Sequence, residues 1–223
     1  MRDPHQPFVL GGSPWHRPTR QGVAALLTLL AAIALPVRGL MRATGSSMEE
    51  GFMLLFPRLV QEGQTPNVDF LHLYGPGSLD VLAVWYWVFG DTLESQRVFG
   101  LLQHIGIITA IYALTRVWGR GVALISAIVA MFMVLTPIGL SALAWHGAVA
   151  LSLWAIVFAV RGRSTADAAS RASWLTAGIL AGAALSFRPD LVVALTVAGV
   201  WITWRQGVWQ RVVGGTAIGL APM

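Results

Sequence analysis

Residues 21–41 read QGVAALLTLLAAIALPVRGLM, an apolar run with a single charge, Arg38. A helix needs about 20 apolar residues to cross the hydrocarbon core of a bilayer. Six more apolar runs follow, at about 97–115, 121–138, 146–160, 173–187, 191–204 and 212–223. Some are short and need tilt or flanking residues to span. We therefore expect an all-α polytopic membrane protein of about six to seven transmembrane helices. Its first run is expected to be a retained span rather than a cleaved signal peptide.

The composition of the chain agrees with lipid as its main solvent. Hydrophobic residues make up 56% of the sequence and charged residues 11%, and the mean hydropathy is +0.67. A soluble domain needs more charge to cover its surface. The absence of cysteine excludes disulfide and thiolate chemistry. The net charge of +5 comes from arginines that recur between apolar runs, where membrane topology places them, so no nucleic-acid partner is expected.

The run at 78–89 decides how the chain is threaded. It has twelve residues and includes Asp80, which favours an interfacial or re-entrant helix over a span. If it does not cross and residues 1–20 form a cytoplasmic tail, ten arginines lie on the cytoplasmic side, as the positive-inside bias requires. These are Arg2, Arg17, Arg20, Arg116, Arg120, Arg161, Arg163, Arg171, Arg205 and Arg211.

This threading divides the chain into a tail, residues 1–20, and one membrane domain, residues 21–223. Residues 42–96 become an outer loop that holds seven of the ten acids. The chain stops inside an apolar run, so we expect it to be the N-terminal part of a longer protein. The expected location is the cell membrane, with the N-terminus in the cytoplasm.

Two segments of the outer loop are distinctive. Residues 46–63 predict a helix that lies on the membrane, because Ser47 and Glu50 have capping-box spacing and one apolar stripe follows: Phe52, Leu55, Phe56 and Leu59. Residues 66–77 are rich in turn formers and carry Asp69, His72 and Tyr74 within six positions. Such a stretch is typical of a site wall rather than of a packed element.

The order of these pieces resembles the N-terminal half of GT-C type membrane glycosyltransferases, which include protein O-mannosyltransferases and lipid A aminoarabinose transferases. The resemblance covers residues 20 to about 205. Its pieces are Glu49-Glu50-Gly51 after the first span, the amphipathic helix, Pro66-x-x-Asp69-Phe70, Tyr74-Gly75-Pro76-Gly77, a short apolar helix ending at Phe89-Gly90, and a span opened by Arg97 and closed by Arg116 and Arg120.

The resemblance implies a fold and a reaction. The fold is a GT-C-like helical bundle with amphipathic juxtamembrane helices in the first outer loop. The enzyme moves a sugar, with inversion, from a polyprenyl-phosphate donor to an acceptor hydroxyl on the outer face of the membrane. An acid of the first outer loop serves as base; the family's usual pair is Asp-Glu, and Glu49 stands at the Asp position beside Glu50. Many relatives also carry an acid in the second outer loop. Residues 139–145 have none, so either His146 substitutes or that role is absent.

The residues agree with this chemistry. Glu49 or Glu50 is a candidate general base for the acceptor hydroxyl. The departing lipid phosphate needs cations or hydrogen-bond donors, and arginine matches phosphate geometry. Candidates for donor binding are Arg58, His72, Tyr74, Arg97 and Arg188. No spacing indicates a tight metal site and no cofactor is expected, although Glu49, Glu50 and Asp69 are able to share a weakly held divalent ion.

Some of these residues have a purely structural alternative. Arg188 lies between two short apolar runs, and we expect Pro189 to point it away from Asp190 so that it meets an anion; the alternative is a turn in which Arg188 and Asp190 pair. Glu50 is either a base or only a helix cap. His104 and His146, lone histidines on apolar faces, are expected to make interhelical hydrogen bonds.

Two other functions compete with the transferase. A transporter or lipid flippase needs charges or broken helices near the midplane in two related halves, and the sequence has no internal repeat. A non-catalytic scaffold does not need Glu49. The expected partners are a lipid-linked sugar donor and membrane lipids; the sugar, the acceptor and the oligomeric state stay open.

Overall fold

The computed structural model describes residues 20–43, 45–135, 139–164, 167–203 and 208–221. The predicted tail, apart from Arg20, lies outside these residues, as do Arg205 and the ends of three predicted runs. The described residues form nine α-helices: α1 Arg20–Leu40, α2 Ser47–Gln61, α3 Gly77–Phe89, α4 Leu93–Thr115, α5 Arg120–Leu135, α6 Ala144–Ser164, α7 Asp167–Phe187, α8 Val192–Thr203 and α9 Trp209–Leu220. Short 3-10 helices at Arg116–Trp118 and Pro189–Leu191 follow α4 and α7. The all-α prediction is confirmed for this part of the chain.

Within the described residues, three helical stretches are long and apolar enough to cross a membrane: Gly22–Leu40, Leu93–Trp118 and Ala144–Arg163. Shorter apolar helices lie at Gly77–Phe89, Arg120–Leu135 and Pro189–Thr203. The thirteen residues of α3 extend about 20 Å at the rise of an α-helix, less than the roughly 30 Å hydrocarbon core. Its length therefore agrees with the prediction that 78–89 is too short to span.

The bundle is built on close contacts between small residues. Gly178 and Gly182 of α7 face Gly215 and Gly219 of α9, and a Cβ atom on Gly182 would collide with the carbonyl oxygen of Thr216. Small residues let helix backbones approach in this way within a membrane. Elsewhere, Leu29 and Ile33 of α1 pack with Ile108 of α4 and with Ala127, Met131 and Leu135 of α5.

The connection between α5 and α6 folds back and packs against α4. Gly100 has no room for a Cβ atom because the backbone of Leu140 lies against it. Ser141, Ala142 and Leu143 are buried although their backbone is not helical. Non-helical backbone at membrane depth is tolerated only where protein surrounds it or where it lines a cavity.

The structure adds one detail to the predicted outer loop and corrects another. Helix α4 begins at Leu93, four residues before the apolar run at about 97–115, because Thr92 caps it by accepting a hydrogen bond at Oγ1 from the Ser95 amide, 3.1 Å away. The predicted capping box of α2 is wrong: Ser46 is the N-cap, no side chain caps it, and the Glu50 carboxylate is bound by Arg97 instead.

Candidate functional site

The start of α2 is held by a buried ion pair. Arg97 of α4 donates from Nε to Glu50 Oε1 at 2.7 Å and from Nη2 to Glu50 Oε2 at 2.9 Å. Its Nη1 donates to the Met41 carbonyl oxygen, just after α1, at 2.6 Å. The two side chains are 7% and 9% exposed. Gly45 leaves room for the carboxylate, because a Cβ atom there would lie 2.6 Å from it.

Glu49 is adjacent to Glu50 in the sequence, but its carboxylate is in a different environment. Its side chain is partly buried, and its Oε2 atom is shielded from solvent without a hydrogen bond to any described residue. Because Arg97 neutralises Glu50, the structure separates two adjacent acids into one that is paired and one that keeps an unpartnered oxygen. Protonation of Glu49 breaks no ion pair, whereas protonation of Glu50 would weaken its ion pair with Arg97.

An aromatic row, defined as Phe52, Phe56, His72 and Tyr74, lies beside Glu49. Glu49, Phe52 and Phe56 share one face of α2 by helical spacing. The rings of Phe52 and Phe56 stack at 5.1 Å. The rings of Phe56 and His72 meet edge to face at 5.7 Å, and those of His72 and Tyr74 at 5.6 Å.

A guanidinium closes the far end of the row. The Cζ atom of Arg188 lies 5.4 Å from the centre of the Tyr74 ring, within the range of a cation–π contact. Arg188 donates to both carboxylate oxygens of Asp190, from Nε at 2.9 Å and from Nη2 at 2.5 Å. This pair holds the pKa of Asp190 below its ordinary value. The expectation that Pro189 points the two apart is wrong, because Pro189 begins a 3-10 turn that brings Asp190 back to Arg188.

The glycines of Tyr74-Gly75-Pro76-Gly77 position Tyr74 beside Arg188. The Gly75 amide donates to the Phe187 carbonyl oxygen at 2.9 Å. Neither Gly75 nor Gly77 has room for a Cβ atom, because Ser186 at the end of α7 lies against both. The motif therefore seats the outer loop directly on the end of α7.

His72 is the buried member of the row. It is 4% exposed, its amide donates to Asn67 Oδ1 at 3.1 Å, and its ring Nε2 has no hydrogen-bond partner among the described residues. Burial lowers the pKa of His72, because a low-dielectric environment disfavours the charged imidazolium. Burial therefore favours the neutral imidazole of His72.

Other candidates lie outside this arrangement. Arg58 forms an ion pair with Asp91, and both side chains are about half exposed. Asp69 accepts a hydrogen bond from the Thr65 amide at 2.7 Å and so stabilises a turn. No group of three or more His, Asp or Glu residues able to hold a metal ion occurs in the described part of the chain.

A second polar cluster lies between α4 and α6. The rings of His104 and His146 are 4.1 Å apart, and both residues are fully buried. His104 Nδ1 lies 2.6 Å from the Gly100 carbonyl oxygen; since a carbonyl only accepts, Nδ1 carries the hydrogen and Nε2 is a bare acceptor. That Nε2 atom and both ring nitrogens of His146 lack hydrogen-bond partners among the described residues. His104 also approaches the backbone of Val134 on α5, and His146 approaches the backbone of Ser141.

Three neutral side chains extend this cluster, and sequence reasoning missed them. Gln96, Gln103 and Ser141 are buried, and each has a side-chain atom without a partner in the described residues. The only signal in the sequence is that 96, 100, 103 and 104 fall on one face of α4 by helical spacing. The contribution of Ser141 has no such signal, because it depends on how the α5–α6 connection folds back.

This end of the bundle thus offers a carboxylate with an unpartnered oxygen, an aromatic row and an arginine at the far end. This arrangement can accept a proton at one end and holds an arginine, paired with Asp190, at the other, with a row of packed rings between them. Comparison of the chain with protein-family models, with curated proteins and with solved structures finds no match.

Proposed function

We propose that this chain is a membrane glycosyltransferase of GT-C type, with six to seven spans and the loop between α1 and α4 on the outer face. The observation that carries the proposal is Glu49, whose Oε2 atom is shielded and has no partner among the described residues, while the neighbouring Glu50 forms an ion pair with Arg97. A general base needs a positioned atom with a free lone pair. The order of motifs in the outer loop supports the same enzyme class.

The proposed reaction is a displacement at the anomeric carbon of a sugar held on the aromatic row. Glu49 takes the proton of the acceptor hydroxyl, and the acceptor oxygen bonds to the anomeric carbon. The bond from that carbon to the lipid phosphate oxygen breaks, and its electrons leave with the phosphate. Arg188 stabilises the departing charge.

The base is tested by Glu49→Gln in the full chain. Membranes that contain the variant are assayed for sugar transfer from a panel of polyprenyl-phosphate sugars. We expect a loss of about 10²–10⁴-fold in rate, as for the removal of a general base, with normal insertion and thermal stability. Glu62→Gln is the matched control, since Glu62 is an exposed acid at the end of the same helix. A wild-type rate in Glu49→Gln would exclude Glu49 as the base.

The donor end is tested by Arg188→Ala and Arg188→Lys. We expect Arg188→Ala to raise the KM for the donor and Arg188→Lys to restore it only partly, since an ammonium lacks the fork of the guanidinium. The side chain of Asp190 is 58% exposed, so losing its partner should change thermal stability little. An unchanged donor KM in stable Arg188→Ala protein would leave this arginine a structural role only.

A transporter is the second candidate, and one observation favours it. His104 lies midway between Leu93 and Thr115, and it is fully buried against His146. Titratable groups inside a span often mark a proton or substrate path. His104→Phe separates the two functions: it should abolish transport, whereas Glu49→Gln should abolish sugar transfer.

A further inference from the structure

The extended segment between α2 and α3 has two unlike faces. From Phe70 to Tyr74 the side chains alternate: His72 is 4% exposed, whereas Leu71 and Leu73 are 76% and 81% exposed. Successive side chains of an extended backbone point to opposite sides. One side contributes to the packed rings, since Phe70 stacks on Phe56 at 5.0 Å. The other side presents two leucines to the surroundings of the protein.

The contacts of this segment indicate its position relative to the membrane-spanning helices. The Gly75 amide donates a hydrogen bond to the carbonyl oxygen of Phe187, the last residue of α7. The 21 residues of α7 extend about 31 Å, close to the thickness of the hydrocarbon core. The start of α2 is likewise joined through Arg97 to Met41, just after α1. The segment therefore lies at the end of a helix, α7, whose length matches the hydrocarbon core, and the start of α2 lies at the end of the candidate span α1.

The neighbouring helix has the same character. On α3 one side packs inward through Leu79, Leu82 and Tyr86, yet Val84 and Trp87 are 64% and 83% exposed. A helix that is apolar on all sides is surrounded by protein or by lipid. Tyr74 ends this segment, and Arg188 contacts its ring. Both side chains have an apolar body and a polar tip, and such side chains favour the level of the lipid headgroups.

We propose that Leu71 and Leu73 insert into the outer leaflet of the membrane and hold His72, Tyr74 and Arg188 at the level of the lipid headgroups. The occupant of this surface is the lipid bilayer itself. The contact requires only that the chain is a membrane protein, so it is independent of sugar transfer. For the proposed transferase, it would place the cationic end of the aromatic row where the phosphate of a lipid-linked donor lies.

Site-directed spin labelling tests this contact, and the chain has no cysteine to remove. Leu71→Cys and Leu73→Cys are labelled in the full chain, which is reconstituted in vesicles of phosphatidylethanolamine and phosphatidylglycerol. The label's collision rates with oxygen, which partitions into lipid, and with a nickel chelate, which stays in water, are then compared. Leu35→Cys, 83% exposed on the first candidate span, is the lipid reference, and Glu62→Cys is the water reference.

We expect labels at 71 and 73 to resemble the label at 35, with high oxygen and low nickel accessibility. All of these positions are exposed, so the label should not disturb folding, and thermal stability checks this. Accessibility at 71 and 73 like that at 62 would show that the leucines face water and would overturn the proposal. Immobile labels that neither reagent reaches would also overturn it, because they would indicate that protein covers this surface. Neither result would affect the Glu49→Gln test.

Discussion

The buried pair of Arg97 and Glu50 should be the main support of α2, and Arg97→Met measures it. The substitution removes two hydrogen bonds to Glu50 and one to Met41 and leaves a carboxylate that is 9% exposed without its counter-ion. Breaking a buried ion pair from one side costs about 3–5 kcal/mol. At roughly 2–4 °C per kcal/mol for a chain of this size, we expect the Tm to fall on the order of 10 °C.

The assay is thermal unfolding in detergent micelles, followed by the fluorescence of the ten native tryptophans. Arg58→Met is the matched control, because the Arg58–Asp91 pair is about half exposed and exposed pairs contribute little. The double variant Arg97→Met, Glu50→Leu should recover most of the lost stability, since an apolar pair can replace a buried ion pair. A Tm loss in Arg97→Met no larger than in Arg58→Met, or no recovery in the double variant, would refute this reasoning.

Two further predictions concern packing and threading. Gly182→Ala should destabilise the protein by about 1–3 kcal/mol through overpacking between α7 and α9, whereas Gly214→Ala, which meets nothing within 4 Å, should be neutral or stabilise by up to about 1 kcal/mol; equal Tm values would contradict the close contact. An impermeant maleimide should label Glu62→Cys but not Gly121→Cys in intact cells, and outside labelling of Gly121→Cys would reverse the proposed threading.

Much of the helix pattern could be predicted from the apolar runs. The run at 78–89 corresponds closely to α3, Gly77–Phe89, because Gly77 and Gly90 interrupt the apolar stretch on both sides. Helix α4 begins four residues before the apolar run at about 97–115, because its first turn is polar and the cap at Thr92 acts through a backbone amide. Ser95, Gln96 and Arg97 are buried whereas Glu94 is exposed, and hydropathy alone does not distinguish these positions.

The candidate site could be predicted in its residue types but not in its pairing. Glu49, Glu50, His72, Tyr74 and Arg188 were all recognisable as groups able to carry the chemistry. Which acid keeps an unpartnered oxygen depends on Arg97, a residue on another helix. A sequence offers many arginines that are equally able to meet Glu50, and only packing selects one.

The sequence by itself determined that the chain is helical and lipid-facing, because hydrophobicity and helical period are local properties. It also determined that acids gather between the first two long apolar runs. Only the tertiary structure decided that Glu50 pairs with Arg97, that the turn at Pro189 brings Asp190 to Arg188, and that the rings of His104 and His146 are in contact. The physical reason is that hydrogen bonds and ring contacts form only within a few ångströms. Such distances depend on how helices pack and how turns close, rather than on the spacing of residues along the chain.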